Sequence, residues 1–198
     1  MQTQSTPQIQ PSHVAILVPS ARKAAERLRS EGFQVGPEET WDGEGTREIY
    51  IEKDRCNSLL LMEAIKPGAY QRALEKRGPG LHHLAIDVLD IESFLDSLTD
   101  SGWLLHPKSL HTLKKVQVAY LARPGFPGLI EVQQKNELMT GVSFVERIEL
   151  PAHASTGSPT PFDKMLRAIG LEKTVFPNRA SASLTLSGVQ IALEDLIR

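Results

Sequence analysis

HVAILVP (His13–Pro19) returns 70 residues later as HLAIDVL (His83–Leu89). On a β-strand successive side chains point to opposite faces. Leu84, Ile86 and Val88 therefore share one face, while His83, Ala85 and Asp87 share the other. The first is a core face. The second sets a histidine beside a small residue, as a strand lining a cavity would. By the same parity His82, the other histidine of GPGLHHLAIDVLD (Gly78–Asp90), points away and reads as structural or solvated.

Each copy leads into a helix. Ser20 is placed to cap ARKAAERLRSE, which stops at Gly32, and Asp90 to cap IESFLDSLTDS, which stops at Gly102. Strands follow: REIYIEK and SLLLMEA in the first copy, KVQVAYLAR and GLIEVQQ in the second. The unit is β-α-β-β-β. A third, degenerate copy runs from FVERIELP through TPFDKMLRAIG, with Pro161 in the first helical turn and Gly170 at its end, to ASLTLS and VQIALED.

The expected fold class is therefore α+β, with repeated βαβββ modules, two of them paired into a curved sheet around a cleft. A flexible arm covers residues 1–12, the first module 13–66, a helical connector 67–80, the second module 81–135 and the third 143–198. A lone module leaves one sheet face bare. The third has no evident partner in the chain, so a homodimer through it is expected.

Composition narrows the function classes. The 198 residues are 40% hydrophobic and 23% charged, with a formal net charge of −2. That balance gives no electrostatic reason to expect nucleic acid or an anionic membrane as partner. Cys56 is the single cysteine, which excludes an internal disulfide and a cysteine-cluster metal site. No run approaches the ~18 apolar residues of a membrane span. MQTQSTPQIQPS lacks the basic start and apolar core of a signal peptide, so a cytoplasmic location is expected.

His13 and His83 hold equivalent positions in their modules. In GLIEV, Ile130 and Val132 face the core, so Glu131 faces the side where His83 looks. Each residue alone reads better as a half-buried histidine or a rim glutamate than as a ligand. Repetition at equivalent positions favours a shared site, and two imidazoles with a carboxylate suit a divalent metal with open positions. In REIYI, Glu48 and Tyr50 take the cavity face, which makes Glu48 a candidate general base. His106, His111 and His153 have no such pattern.

HVAILVP, REIYIEK, ALEKRGPGLHHLAIDVLDIESFLDSL and GLIEV resemble the vicinal oxygen chelate superfamily of glyoxalases, bleomycin-resistance proteins and dioxygenases, most of all methylmalonyl-CoA epimerase. The resemblance covers residues 13 to about 134. It implies metal ligands at His13, His83 and Glu131, the metal being Co, Ni, Zn, Mn, Mg or Fe. It also implies a small-molecule substrate, possibly a thioester, deprotonated next to its carbonyl through a metal-bound enolate. Glu48 and Glu131 would be the bases on opposite faces. The implied class is an isomerase or lyase, epimerase-like or lactoylglutathione lyase-like.

Two positions depart from the pattern. The fourth ligand falls on Leu60, Glu63 having the opposite parity. The glycine-rich loop of the second module is SLHTLKK, with Lys114 and Lys115 available to an anion. The remaining three-ligand set is also that of Fe(II) extradiol dioxygenases, and a metal-independent binding protein of the same fold is a further alternative. In the third module Val145 replaces the histidine, while Gln190 takes the last-strand ligand position, where it reads as a glutamine at an assembly surface ahead of a donated ligand.

Overall fold

The capping residues act as their spacing predicts. Ser20 accepts a hydrogen bond from the Lys23 amide and Asp90 from the Ser93 amide, while Thr160 and Asp163 form a reciprocal capping box. Gly32, Gly102 and Gly170 end the three helical segments with φ of 92°, 82° and 69°, a region that glycine enters without steric cost. The computed structural model describes residues 8–151, 160–178 and 181–197.

The first module comprises β1 (Ile9–Leu17), α1 (Ala21–Ser30), β2 (Val35–Trp41), β3 (Thr46–Ile51) and β4 (Ser58–Ala64). The connector is α2 (Ala69–Arg77). The second module comprises β5 (Gly80–Val88), α3 (Ile91–Ser97), β6 (Leu104–Leu105), α4 (Ser109–Val116), β7 (Val118–Ala122) and β8 (Leu129–Gln134). The third comprises β9 (Val145–Pro151), α5 (Pro161–Ala168), β10 (Val175–Asn178), β11 (Ser183–Leu186), β12 (Val189–Ala192) and α6 (Leu193–Ile197).

The first two modules pair through β1 and β5, giving a curved, open eight-stranded sheet in the order β2-β3-β4-β1-β5-β8-β7-β6. One face carries the main core: Val14, Ile16, Leu59, Leu61, Leu84, Ile86, Ile130 and Val132 pack with Ala24, Leu28 and Phe94 of the helices. The other face carries a small apolar cluster of Ala15, Leu17, Leu60 and Met62.

Several expectations need correction. Residues 1–7 of the expected arm lie outside the described residues, and Ile9–Ser12 extend β1, paired with β5 from Ile9↔Val88. The loop expected at SLHTLKK is the helix α4. It starts at Lys108 without a side-chain cap and ends at Gln117 with φ 52°, so neither end carries the usual sequence signal. The strand β2 has no apolar alternation in VGPEETW because it is the edge strand, where Pro37 is tolerated.

The third module keeps the expected element order but not the topology. Its sheet runs β10-β9-β11-β12, with β9 parallel to β10, whereas β1 is parallel to the last strand of its module, β4. Gln190 on the edge strand β12 therefore holds no ligand-equivalent position, and its amide donates to Ser183 Oγ.

Nor does the third module lack a partner in the chain. Phe144, Ile148, Met165, Leu166 and Leu186 join the main core. Trp103 Nε1 donates to the Met165 carbonyl, and Phe144 meets Phe33 edge-on with ring centroids 5.2 Å apart. Full burial of each such side chain contributes about 1.5–3 kcal/mol. No helix among the described residues is long and apolar enough to cross a membrane.

Candidate metal and active site

The core-forming alternation on one face of the sheet fixes what the other face displays. Register places Ser58, His13, Ala85, Glu131 and Tyr120 in one row across β4, β1, β5, β8 and β7. The adjacent row holds Tyr50, Leu60, Ala15 and His83. His13, His83 and Glu131 are thereby brought together, with one ligand atom of each lying within 4.8 Å of the others. His13 Nε2 is 3.0 Å from His83 Nε2, which is 3.3 Å from Glu131 Oε2. Donors bound at ~2.1 Å and separated by 90–110° stand ~3.0–3.4 Å apart, so both of these separations suit a shared divalent cation.

The electrostatics fit as well. Burial lowers the His13 pKa to about 4, with a smaller contribution from Lys135. Burial also pushes His83 well below its ordinary value, assisted by His13, His82 and Lys108. Both imidazoles are neutral at pH 7 and keep a lone pair for a cation. Glu131 is only 12% exposed in its side chain. Desolvation raises its pKa against the stabilising hydrogen bond from Gln133 Nε2 to Oε1, 2.7 Å long.

His82 departs from the parity argument. The pairing of β1 with β5 runs Ala15↔His83 and then Ile16↔Leu81, leaving His82 as the extra residue of a β-bulge. The bulge breaks alternation and brings His82 to the cavity side. Its ring lies 4.9 Å from that of Tyr70, and its Nδ1 is 2.8 Å from His83 Nδ1. A second register shift, at Ser12 beside His13, mirrors it. The expected direction is thereby corrected.

Glu48 lies in the row beyond Tyr50, level with Met62 and Leu17. It is half-buried, accepts a 3.0 Å hydrogen bond from Thr46 Oγ1, and has its pKa raised chiefly by desolvation. Leu60 is buried in the apolar cluster. Glu63 points to the opposite face, as its parity requires, accepting from the Ala21 amide and from Arg47.

Lys114 and Lys115 are exposed on the last turn of α4. Lys108 also stands near the site, its Nζ 4.7 Å over the Tyr120 ring and 3.3 Å from Glu44. Tyr70 donates to the same glutamate. Sequence reasoning missed Lys108, Tyr120 and Gln133. Only Gln133 carried a signal, since it shares parity with Glu131.

A cavity of about 690 Å³ opens beside His13, lined among others by Tyr50, Ser58, Asp87 and Lys135. The segment from Glu137 to Thr140, which leads into the third module, forms one of its walls. Gln10 Nε2 donates to the Met139 carbonyl, and Cys56 Sγ lies 3.7 Å from it.

No protein-family model and no curated protein matches the sequence. Solved structures do match. A hypothetical protein from Bacillus halodurans C-125 aligns at TM-score 0.55 and 22% identity, over 68% of this chain and 99% of that one. Methylmalonyl-CoA epimerase from Mycobacterium tuberculosis aligns at TM-score 0.50 and 23% identity, over 68% and 92%. A variant of the Streptomyces coelicolor epimerase in complex with 2-nitronate-propionyl-CoA aligns at 0.51 and 19%, over 66% and 98%. The fold is that of the vicinal oxygen chelate proteins. At these identities the likeness speaks for fold, and function has to be argued from the site.

Proposed function

We propose that the chain is an epimerase-like enzyme that holds a divalent cation on His13, His83 and Glu131 and moves a proton at the carbon next to a carbonyl. The observation that carries this reading is the neutral, buried two-imidazole and carboxylate set with Glu48 in a neighbouring row of the same face. The cation, when bound, supplies a Lewis acid for the carbonyl oxygen.

The rest is done by the chain. Burial raises the proton affinity of Glu48 toward the range in which a carboxylate works as a general base. Thr46 holds one of its oxygens. Glu131, fixed by Gln133, is the second carboxylate of the face. Ala15, Leu17, Leu60 and Met62 form an apolar cluster on the same face, packed against Tyr50 and against Tyr70, Ala73 and Leu74 of α2. The acyl-CoA analogue bound by the Streptomyces coelicolor protein supports a thioester as the substrate class.

Elemental analysis after reconstitution with Co²⁺, Mn²⁺, Ni²⁺ or Zn²⁺, followed by proton NMR of methylmalonyl-CoA in D₂O, tests the reading. One cation per chain in the wild type, none in His83→Ala, and exchange of the α-proton are expected. Absence of bound metal after reconstitution overturns it in favour of a metal-independent binding protein.

Leu60 favours one second reading. With no fourth protein ligand, two histidines and a carboxylate match the Fe(II) oxygenase set. Oxygen uptake with catechol and ferrous iron, without α-proton exchange, would select that reading.

A further inference from the structure

We infer that Asp87 forms a second, polar subsite in the cleft, one that receives a hydroxyl group on the substrate. The inference rests on the proposed function for the position of the chelating end of that substrate.

Asp87 follows His83 and Ala85 on the cavity face of β5 and lines the same cavity as His13. It is 9% exposed. Its Oδ1 is buried with no hydrogen-bond partner among the described residues. Leaving such an acceptor unmatched costs about 1–3 kcal/mol. Side chains that carry this cost at the wall of a cleft, rather than inside a core, are candidates to meet a ligand.

The spacing and the unmatched acceptor narrow the ligand. His13 pairs with Ala85, so Asp87 stands two residues further along β5, about 7 Å on a strand. A substrate chelated at His13 therefore reaches Asp87 with a group some four to six bonds from its chelating oxygens. The rim of the cavity carries Lys53, Arg55 and Lys135. Lys135 acts electrostatically on both His13 and Asp87. Glu137 shares that rim and Lys53 is paired with Glu39, so the choice of a hydroxyl rests on Oδ1 itself, a single acceptor that one neutral O–H donor satisfies.

Two chelating probes test the subsite: butanohydroxamic acid and its 4-hydroxy derivative, titrated calorimetrically into Zn²⁺-loaded protein. The hydroxylated probe is expected to bind roughly 5- to 10-fold more tightly to the wild type, as one recovered hydrogen bond allows. Asp87→Ala should abolish that preference, and Asp87→Asn, which keeps a carbonyl acceptor, should retain part of it. Equal wild-type affinities, or a preference unchanged in Asp87→Ala, overturn the subsite and leave the chelating site standing. If neither probe binds, the chelating site is overturned and the subsite with it. The wild-type pair decides even where a variant fails to fold.

Discussion

His82 Nδ1 lies 2.8 Å from His83 Nδ1, while His83 Nε2 faces His13 and Glu131. One proton serves the pair. A cation on Nε2 of His83 requires its proton on Nδ1, where His82 Nδ1 stands as the acceptor, so the pair is placed to hold the tautomer a ligand needs. His82→Phe should weaken Zn²⁺ or Co²⁺ binding by about 10- to 100-fold, measured by competition with a chromophoric chelator. His82→Asn, which keeps an acceptor, should lose less.

Glu48 sits among neither the ligands nor the core. Glu48→Gln is expected to reduce α-proton exchange by about 10²- to 10⁴-fold while metal stoichiometry stays at the wild-type value. Loss of metal together with activity would place Glu48 in the ligand set instead.

The buried histidines make the metal-free protein acid-sensitive. The folded pKa of His13, about 4, lies below the unfolded value of 6.5, and His83 is shifted in the same direction. Between those values the unfolded chain binds more protons than the folded one, so stability rises with pH across the window and is lost as pH falls from 6.5 toward 4. Urea denaturation in EDTA should give a lower midpoint at pH 5 than at pH 7.5. The His13→Phe variant should show a flatter dependence.

The third module shares the main core and should unfold with it. Phe144→Ala is expected to cost about 3–5 kcal/mol. Fluorescence of Trp103, which donates to Met165 across the module boundary, should report one transition coincident with far-UV circular dichroism. Two separated transitions would show the modules to be independent.

Self-association is a separate matter. A homodimer through the third module would use the exposed edge of β12 or the polar outer face around Arg147 and Glu149. Sedimentation at micromolar concentration measures it, and a monomer would remove the dimer proposal.

What was legible in the sequence was what depends on local period. The HVAILVP and HLAIDVL strands, the caps at Ser20 and Asp90, and the cavity-facing parity of His13, His83, Glu48 and Glu131 follow from alternation and spacing alone. The direction of His82 did not, because a bulge arises from the register between two strands and leaves no mark on either. Helix α4 was hidden by ends that use Lys108 and Gln117 where a cap and a glycine are usual. The strand order of the third module was hidden for a different reason. Which strand lies beside β9 is settled by contacts between residues far apart in the chain.

The wall formed by Glu137–Thr140 ties the cavity to the third module, which supplies none of the proposed ligands. That segment lies between β8 and β9, and Ile148 and Leu150 seat β9 in the main core. The groups proposed for chemistry and a wall of the cavity beside them thus lie in separate parts of the chain. Changes on the buried face of β9 could therefore redraw the range of molecules admitted without touching a residue that meets them.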